Sequence, residues 1–234
     1  MREILLRGQR IRYQLERKAV KYINLRVHTD GTVWVSANRH VPLAQVEAVL
    51  REKESFVLNA RAKMAHRNAL APPPKAYIPG EQFRICGELF TLEQGTAPGV
   101  HASRGVLRCG PGDLRAQVQQ WIAQTSQAIF AKTAQTATAL LAEEPIPVPV
   151  TLKMRRMVSR WGSCNPGRGI VTLSTRLLET PLPCIEAVVL HEYVHFLHPD
   201  HSAHFYAMLE RYMPDYRARI APLRGDAYHI FYNE

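Results

Sequence analysis

Apolar and polar residues alternate along much of the first forty positions of the chain. In the segments "RIRYQLER" and "YINLRVHTDGTVWVSA", apolar residues recur at every second position, which places them on one face of a β-strand. Asp30 and Gly31 lie between two such runs, where a tight hairpin turn favours these residue types. The pattern predicts an antiparallel sheet over the first forty residues.

The spacing of apolar residues then becomes helical. It predicts a helix from Leu43 to about Asn68, which the segment "APPPK" stops, because consecutive prolines exclude a helix interior. Short strand-like pieces separated by glycines follow between residues 78 and 108. Residues 111–144 form a long helical stretch rich in Ala, Gln and Thr, and "EEPIPVPV" ends it.

The last third of the chain is predicted to contain two strands and two helices. The segments "TLKMRRMVSRWGSC" and "GIVTLST" have strand patterning, and the turn-forming residues Asn165 and Pro166 lie between them. Helices are predicted at about 183–198 and about 202–213, separated by Pro199. No internal repeat is recognised in the sequence.

These elements predict an α+β fold in two parts. Residues 1–110 would form an antiparallel β-rich N-terminal module with one helix. Residues 111–234 would form a compact unit made of a helix, a β-hairpin, a histidine-bearing helix and a C-terminal helix.

Composition narrows the class of protein. The 234 residues are 46% apolar, which suffices for a core, and no run of about 18 apolar residues is present that would span a bilayer. Four cysteines without a Cys-x-x-Cys pair favour a reducing compartment, so we expect a cytoplasmic protein without a membrane partner. The formal charge of +10 fits an anionic partner such as a nucleic acid or nucleotide.

The segment "VVLHEYVHFLHPDHSAHFY" concentrates histidine in apolar surroundings. On a helix, His191 and His195 lie about 40° apart on one face, so both imidazoles reach a single ion. Glu192 lies on the flank of that face, where it can act on water without binding the metal. Apolar residues cover the remaining circumference, and a buried carboxylate between two histidines would be costly without a cation. The pattern is the His-Glu-x-x-His arrangement of zincins.

A third ligand is needed, and spacing alone leaves it open. His198 is about 10.5 Å along a rigid helix from His191, too far for both to share one tetrahedral ion. After the Pro199 turn, His201 and His204 are equally placed by spacing.

The segments "SRWGSC", "GIVTLSTRLLETP" and "VVLHEYVHFLHPDHSAHFY" together resemble the YgjP-like metallopeptidase family, relatives of the SprT-like proteases. The family pattern has its third histidine directly before a small residue and a few residues before an aromatic pair. Carried over to this chain, that histidine is His201, followed by Ser202, while His204 falls at a variable position. Ser174 departs from the family, which more often has asparagine there.

The resemblance and the motif together imply one Zn²⁺ per chain, bound by His191, His195 and His201 with one position open for water. Glu192 would be the general base in the hydrolysis of an amide bond of a peptide or protein substrate. If "MRRMVSR" is an edge strand, its backbone can pair with an extended peptide. Arg160 or Ser163 would then contact the substrate, although both can equally serve the loop structure.

Two other functions remain open from the sequence. A metal-dependent nucleotide pyrophosphohydrolase would use the same water and Glu192, with Arg155, Arg156 and Arg160 binding phosphates. Three imidazoles disfavour this alternative, because magnesium prefers oxygen ligands. A basic binding module with a structural metal ion is the second, although such sites usually have four protein ligands. Cys164 is a further candidate as a nucleophile or ligand, but the histidines already complete a site.

Overall fold

The computed structural model describes residues 1–70, 74–157, 160–224 and 228. The chain has two compact units, Met1–Pro72 and Pro73–Glu234. Both contain helices and sheets, so the mixed α+β class is confirmed. Among the described residues, no helix has the length and apolar character needed to cross a membrane.

The first unit contains a four-stranded sheet. Its strands are β1 (Arg2–Leu6), β2 (Gln9–Arg17), β3 (Asn24–Val27) and β4 (Val33–Ala37), in the order β1-β2-β4-β3. The predicted hairpin at Asp30 is confirmed: its carboxylate accepts hydrogen bonds from the backbone N–H and the hydroxyl of Thr32. The prediction of a fully antiparallel sheet is wrong, because β2 and β4 run parallel. Apolar and polar residues alternate with a period of two in parallel and in antiparallel strands alike, so the pattern does not distinguish the two kinds of pairing.

Two helices cover one face of this sheet. They are α1 (Leu43–Glu52) and α2 (Glu54–Leu70), where the sequence predicted a single helix. The break falls at Lys53, whose backbone N–H still bonds the Val49 carbonyl. Val46, Leu50 and Val57 are fully buried in one apolar cluster with the inward side chains of the strands.

The second unit begins with a sheet of the same topology. Its strands are β5 (Gln82–Ile85), β6 (Glu88–Gln94), β7 (Val100–Ser103) and β8 (Val106–Cys109), in the order β5-β6-β8-β7 with a parallel central pair. The long helix α3 (Leu114–Leu140) follows, capped by the Asp113 side chain, which accepts from the Ala116 N–H. The two four-stranded sheets therefore repeat one strand order, although the sequence showed no recognisable repeat.

The remaining elements carry the histidine-rich segment. A three-stranded sheet has the order β10-β11-β9, formed by β9 (Thr151–Arg155), β10 (Gly162–Asn165) and β11 (Ile170–Ser174). Short 3₁₀ helices occupy Pro166–Arg168, Thr175–Glu179 and Ala221–Arg224. The α-helices are α4 (Leu182–Val194), α5 (Ala203–Tyr212) and α6 (Tyr216–Ile220).

The division at residues 72 and 73 differs from the boundary expected after residue 110. The reason is packing: Phe83, Leu92 and Leu107 from the second sheet are buried in the same apolar cluster as α3 and α4. A backbone hydrogen bond of 2.7 Å also joins the Cys86 N–H to the Leu178 carbonyl. Local patterning locates strands, but it does not indicate which core their side chains enter.

Candidate metal centre

Helix α4 holds the centre because nearly its whole circumference is apolar. Residues 187–194 are all buried, including His191 and Glu192, which are 2% and 4% exposed. The helix ends four residues earlier than predicted, with His195 as its C-cap residue in helical conformation. His191 and His195 therefore keep their one-turn spacing, and the chain leaves the helix directly after His195.

The structure brings His201 to this helix. One ring nitrogen each from His191, His195 and His201 lie within 4.8 Å of one another, and the Nε2 atoms of His191 and His201 are 3.1 Å apart. His204 instead stacks on His198, with ring centroids 6.4 Å apart, so neither belongs to the group. Two nitrogens bound tetrahedrally at about 2.0–2.1 Å lie about 3.3 Å apart, so these imidazoles fit a shared zinc ion.

Hydrogen bonds orient two of the three rings. The Nδ1 of His195 is 3.0 Å from the His198 carbonyl oxygen, which can only accept, so Nδ1 carries the proton. Its Nε2 then has a free lone pair. The Nδ1 of His191 is 2.8 Å from the hydroxyl of Tyr216, which is fully buried on α6. For Nε2 of His191 to bind a metal, Nδ1–H has to donate to this hydroxyl.

Burial also keeps these rings neutral. Burial, together with smaller effects of the neighbouring His195 and His201, lowers the pKa of His191 to about 2. Burial likewise lowers the pKa of His195, against a smaller opposing effect of its hydrogen bond to the His198 carbonyl. Both imidazoles are therefore uncharged at neutral pH, as metal ligands must be.

Replacement of Tyr216 by phenylalanine should weaken metal binding without unfolding the protein. Tyr216→Phe retains the buried ring but removes the hydrogen bond that holds His191, and loss of such a partner lowers metal affinity by roughly 10- to 100-fold. Competition with a chelating dye measures this affinity. Tyr212→Phe is the matched control, because that hydroxyl donates to Glu144. Equal affinities for all three proteins would show that the Tyr216 hydroxyl does not position the ligand.

Glu192 lies against the backbone of β10. Burial raises the pKa of this carboxyl to about 8, and the positive charge of Arg160 opposes the shift. A Cβ atom on Gly162 would lie 2.6 Å from Cγ and 2.7 Å from Cδ of Glu192. Glycine is required here by this close approach.

Gly162→Ala should therefore displace Glu192 and lower stability by about 1–3 kcal/mol, as overpacking of a core does. Thermal unfolding and hydrolysis measure the two effects. Gly167→Ala is the control, since its Cβ would meet only the Asn165 side chain, at 3.8 Å. The double variant Gly162→Ala/Glu192→Ala should recover stability because the clash is removed. A stable and fully active Gly162→Ala protein would contradict this account.

An open cavity of about 430 Å³ joins the histidines to the predicted substrate residues. Arg160 and Ser163 both line it, together with Glu192 and the three grouped histidines. Trp161 points elsewhere, since it is fully buried and packs edge-on against Tyr228 at 6.3 Å. The cavity therefore brings together all six residues that the sequence singled out for metal binding, proton transfer and substrate contact.

Cys164 also lines the cavity, but its thiol is unsuited to nucleophilic attack. Burial, together with a smaller effect of the nearby Glu192, raises the pKa of Cys164 to about 12. The thiol is therefore protonated at neutral pH, whereas the nucleophile and the metal ligand are thiolates.

Ser174 forms hydrogen bonds with Met157 and Trp161. Its hydroxyl oxygen accepts from the Met157 N–H at 3.3 Å and lies 3.4 Å from the Met157 carbonyl, and its backbone N–H bonds the Trp161 carbonyl at 2.7 Å. The serine thus forms local hydrogen bonds at the position where relatives more often have asparagine.

Comparison with known proteins gives a family match. Residues 21–225 match the family described as YgjP-like, metallopeptidase domain. No curated protein matched the chain. Among solved structures, the crystal structure of the metallopeptidase zymogen of Pyrococcus abyssi abylysin is similar, with 16% identity and a TM-score of 0.38 over 44% of this chain and 98% of that chain. Because the family match covers most of the sequence, the chain belongs to the YgjP-like metallopeptidase family.

Proposed function

We propose that the chain is a zinc-dependent metallopeptidase in which His191, His195 and His201 bind one Zn²⁺ and Glu192 is the general base. The observation that carries the proposal is the meeting of three imidazole nitrogens within 4.8 Å beside a buried carboxyl group. Neutral imidazoles suit zinc, whereas magnesium and calcium prefer oxygen ligands. Three protein ligands also leave a fourth position open, as catalytic rather than structural zinc sites do.

The roles of the protein groups follow from their positions. A bound Zn²⁺ supplies a Lewis acid that polarises the scissile carbonyl and lowers the pKa of water. Glu192 takes a proton from the water that attacks the carbonyl carbon, and it passes this proton to the leaving amine as the C–N bond breaks. Burial raises the pKa of this carboxyl group, and the positive charge of a bound Zn²⁺ would favour the charged carboxylate that accepts the proton. The products are a carboxylate and an amine.

We expect the substrate to bind along β10. Within the described part of the chain this strand pairs only with β11, so its other edge has unpaired backbone groups. Gly162, Ser163 and Cys164 of this strand line the cavity, and an extended peptide added to the edge would run past the histidines. The sequence suggested "MRRMVSR" for this role, but its first two residues end β9, which forms the opposite edge of the sheet, and residues 158 and 159 lie outside the described residues. Arg160, which precedes β10, remains available to a substrate carbonyl or carboxylate.

Metal removal and restoration test the proposal. The purified protein should contain about one zinc per chain by elemental analysis and should cleave an unstructured protein such as casein. Dialysis against a chelator should abolish cleavage, and stoichiometric zinc should restore it, whereas magnesium should not. Cleavage that survives complete zinc removal would contradict the proposal.

The alternative function, a metal-dependent nucleotide pyrophosphohydrolase, is tested with the same zinc-loaded protein. Of the three arginines that it requires, only Arg160 lines the cavity, and Arg155 ends β9 on the far edge of the sheet. We therefore expect no release of pyrophosphate from nucleoside triphosphates by the zinc-loaded protein. Release without any peptide cleavage would replace the peptidase proposal with this alternative.

A further inference from the structure

The positive charge of the protein is concentrated in its first unit. Residues 1–72 contain 14 Lys and Arg against 6 Asp and Glu, a net charge of +8. Residues 73–234 contain 16 against 14, a net charge of +2, and include the whole candidate metal centre. The excess charge is therefore not explained by the hydrolytic site.

The strand register separates the first sheet into an apolar face and a basic face. Ile11 and Tyr13 on β2 and Val33 and Val35 on β4 are buried in the cluster that includes α1 and α2. The alternate positions point to the opposite side. This basic face, as we define it, carries Arg10, Arg12, Gln14, Arg26 and Trp34.

Trp34 lies in the middle of the basic face. It is opposite Gln14 of β2 on one side and Arg26 of β3 on the other. The indole is partly exposed and lies outside the apolar cluster formed by the described residues of the unit. The His28 ring lies 4.9 Å from it, tilted by 31°. A partly exposed indole between polar and cationic neighbours offers a flat surface for another ring to stack on.

Two of the arginines on this face are available to an anion. Arg12 forms an ion pair with Glu3 at 3.0 Å, and the other carboxylate of the face, Glu16, is paired with Lys18 at 2.8 Å. Arg10 and Arg26 are exposed and have no ion pair among the described residues. The acidic groups of the face are thus neutralised, while these two guanidinium groups are not.

We propose that the basic face binds single-stranded nucleic acid, with a base stacked on Trp34 and phosphates bound by Arg10 and Arg26. Stacking platforms flanked by cationic side chains bind single strands because an unpaired base exposes its aromatic face. In a duplex the bases stack on one another and offer no such face. A lipid surface would require a contiguous apolar stripe, whereas the neighbours of Trp34 across the strands are polar or charged. The proposal does not depend on the hydrolytic activity.

Fluorescence anisotropy of the full-length protein tests the proposal directly. The probes are a labelled oligodeoxythymidylate of about 12 nucleotides, a duplex of equal length and phosphatidylserine vesicles. The single strand should bind tightest and should quench tryptophan emission. Trp34→Phe should lose most of this quenching, since Trp161 is buried and Trp121 is on α3 in the second unit, outside the basic face. Absence of binding to the single strand, or tighter binding to the duplex or the vesicles, would overturn the proposal.

Variants then distinguish binding at the basic face from nonspecific attraction by the net charge of the protein. Trp34→Ala should lower the affinity for the single strand about tenfold. Arg26→Glu, at an exposed position that does not endanger folding, should weaken binding. It should also reduce the slope of the logarithm of the binding constant against the logarithm of the salt concentration by about 0.7. Lys132→Glu makes the same charge reversal at an exposed position of α3 in the second unit and should leave the affinity unchanged. An equal loss of affinity in Arg26→Glu and Lys132→Glu would overturn the assignment of the face.

Discussion

Glu192→Gln is expected to abolish peptide hydrolysis while the protein keeps its zinc and its fold. Removal of a general base typically lowers the rate by roughly 10²–10⁴-fold, because the attacking water can no longer transfer its proton. Glutamine has the same shape as glutamate, so at position 192 it packs against Gly162 without the clash that a Cβ atom at position 162 would cause. Hydrolysis rates, zinc content and thermal unfolding of the same preparation measure the three properties.

The stability of this variant follows from the burial of the carboxyl group. Glu192 is 4% exposed, and burial disfavours its charged form, so a neutral amide avoids the cost of burying a charge. Glu186→Gln is the matched control, because Glu186 is on the same helix and pairs with Arg219 instead of facing the cavity. We expect the control to retain full activity. A Glu192→Gln protein that hydrolyses peptide at the normal rate would contradict the assignment of the base.

Much of the centre could be predicted because helix geometry is regular. The four-residue spacing of His191 and His195 determines that their rings share a face, whatever the rest of the chain does. The apolar residues around them predicted burial, which the structure confirms for residues 187–194. Both conclusions need only local sequence.

Features that depend on tertiary packing could not be predicted. Tyr216 reaches His191 from a separate helix 25 residues later, and no sequence pattern connects the two. The approach of Gly162 to Glu192 likewise depends on which strand of the last sheet lies beside α4. Alternation of apolar residues predicted one strand for "TLKMRRMVSRWGSC", but the structure divides this segment between β9 and β10, which lie on opposite edges of the sheet. The pattern also did not indicate that β9 and β11 run parallel.

His201→Ala should remove zinc from the protein, whereas His204→Ala should retain about one zinc per chain. A lost ligand should lower metal affinity by more than the roughly 10- to 100-fold typical of a lost outer hydrogen bond. His204 only stacks on His198 and lies outside the group of three imidazoles. Elemental analysis after dialysis against a weak chelator distinguishes the two variants.

The exposure of His201 allows ligand loss to be separated from unfolding. Because its side chain is exposed, alanine should leave the thermal midpoint of the metal-free protein unchanged. Zinc that binds only the folded state should raise this midpoint in the wild type and in His204→Ala, but not in His201→Ala. Equal zinc content and equal stabilisation in both variants would mean that the third ligand is neither histidine. A loss confined to His204→Ala would move the third ligand to α5 and require the turn after Pro199 to close differently around the ion.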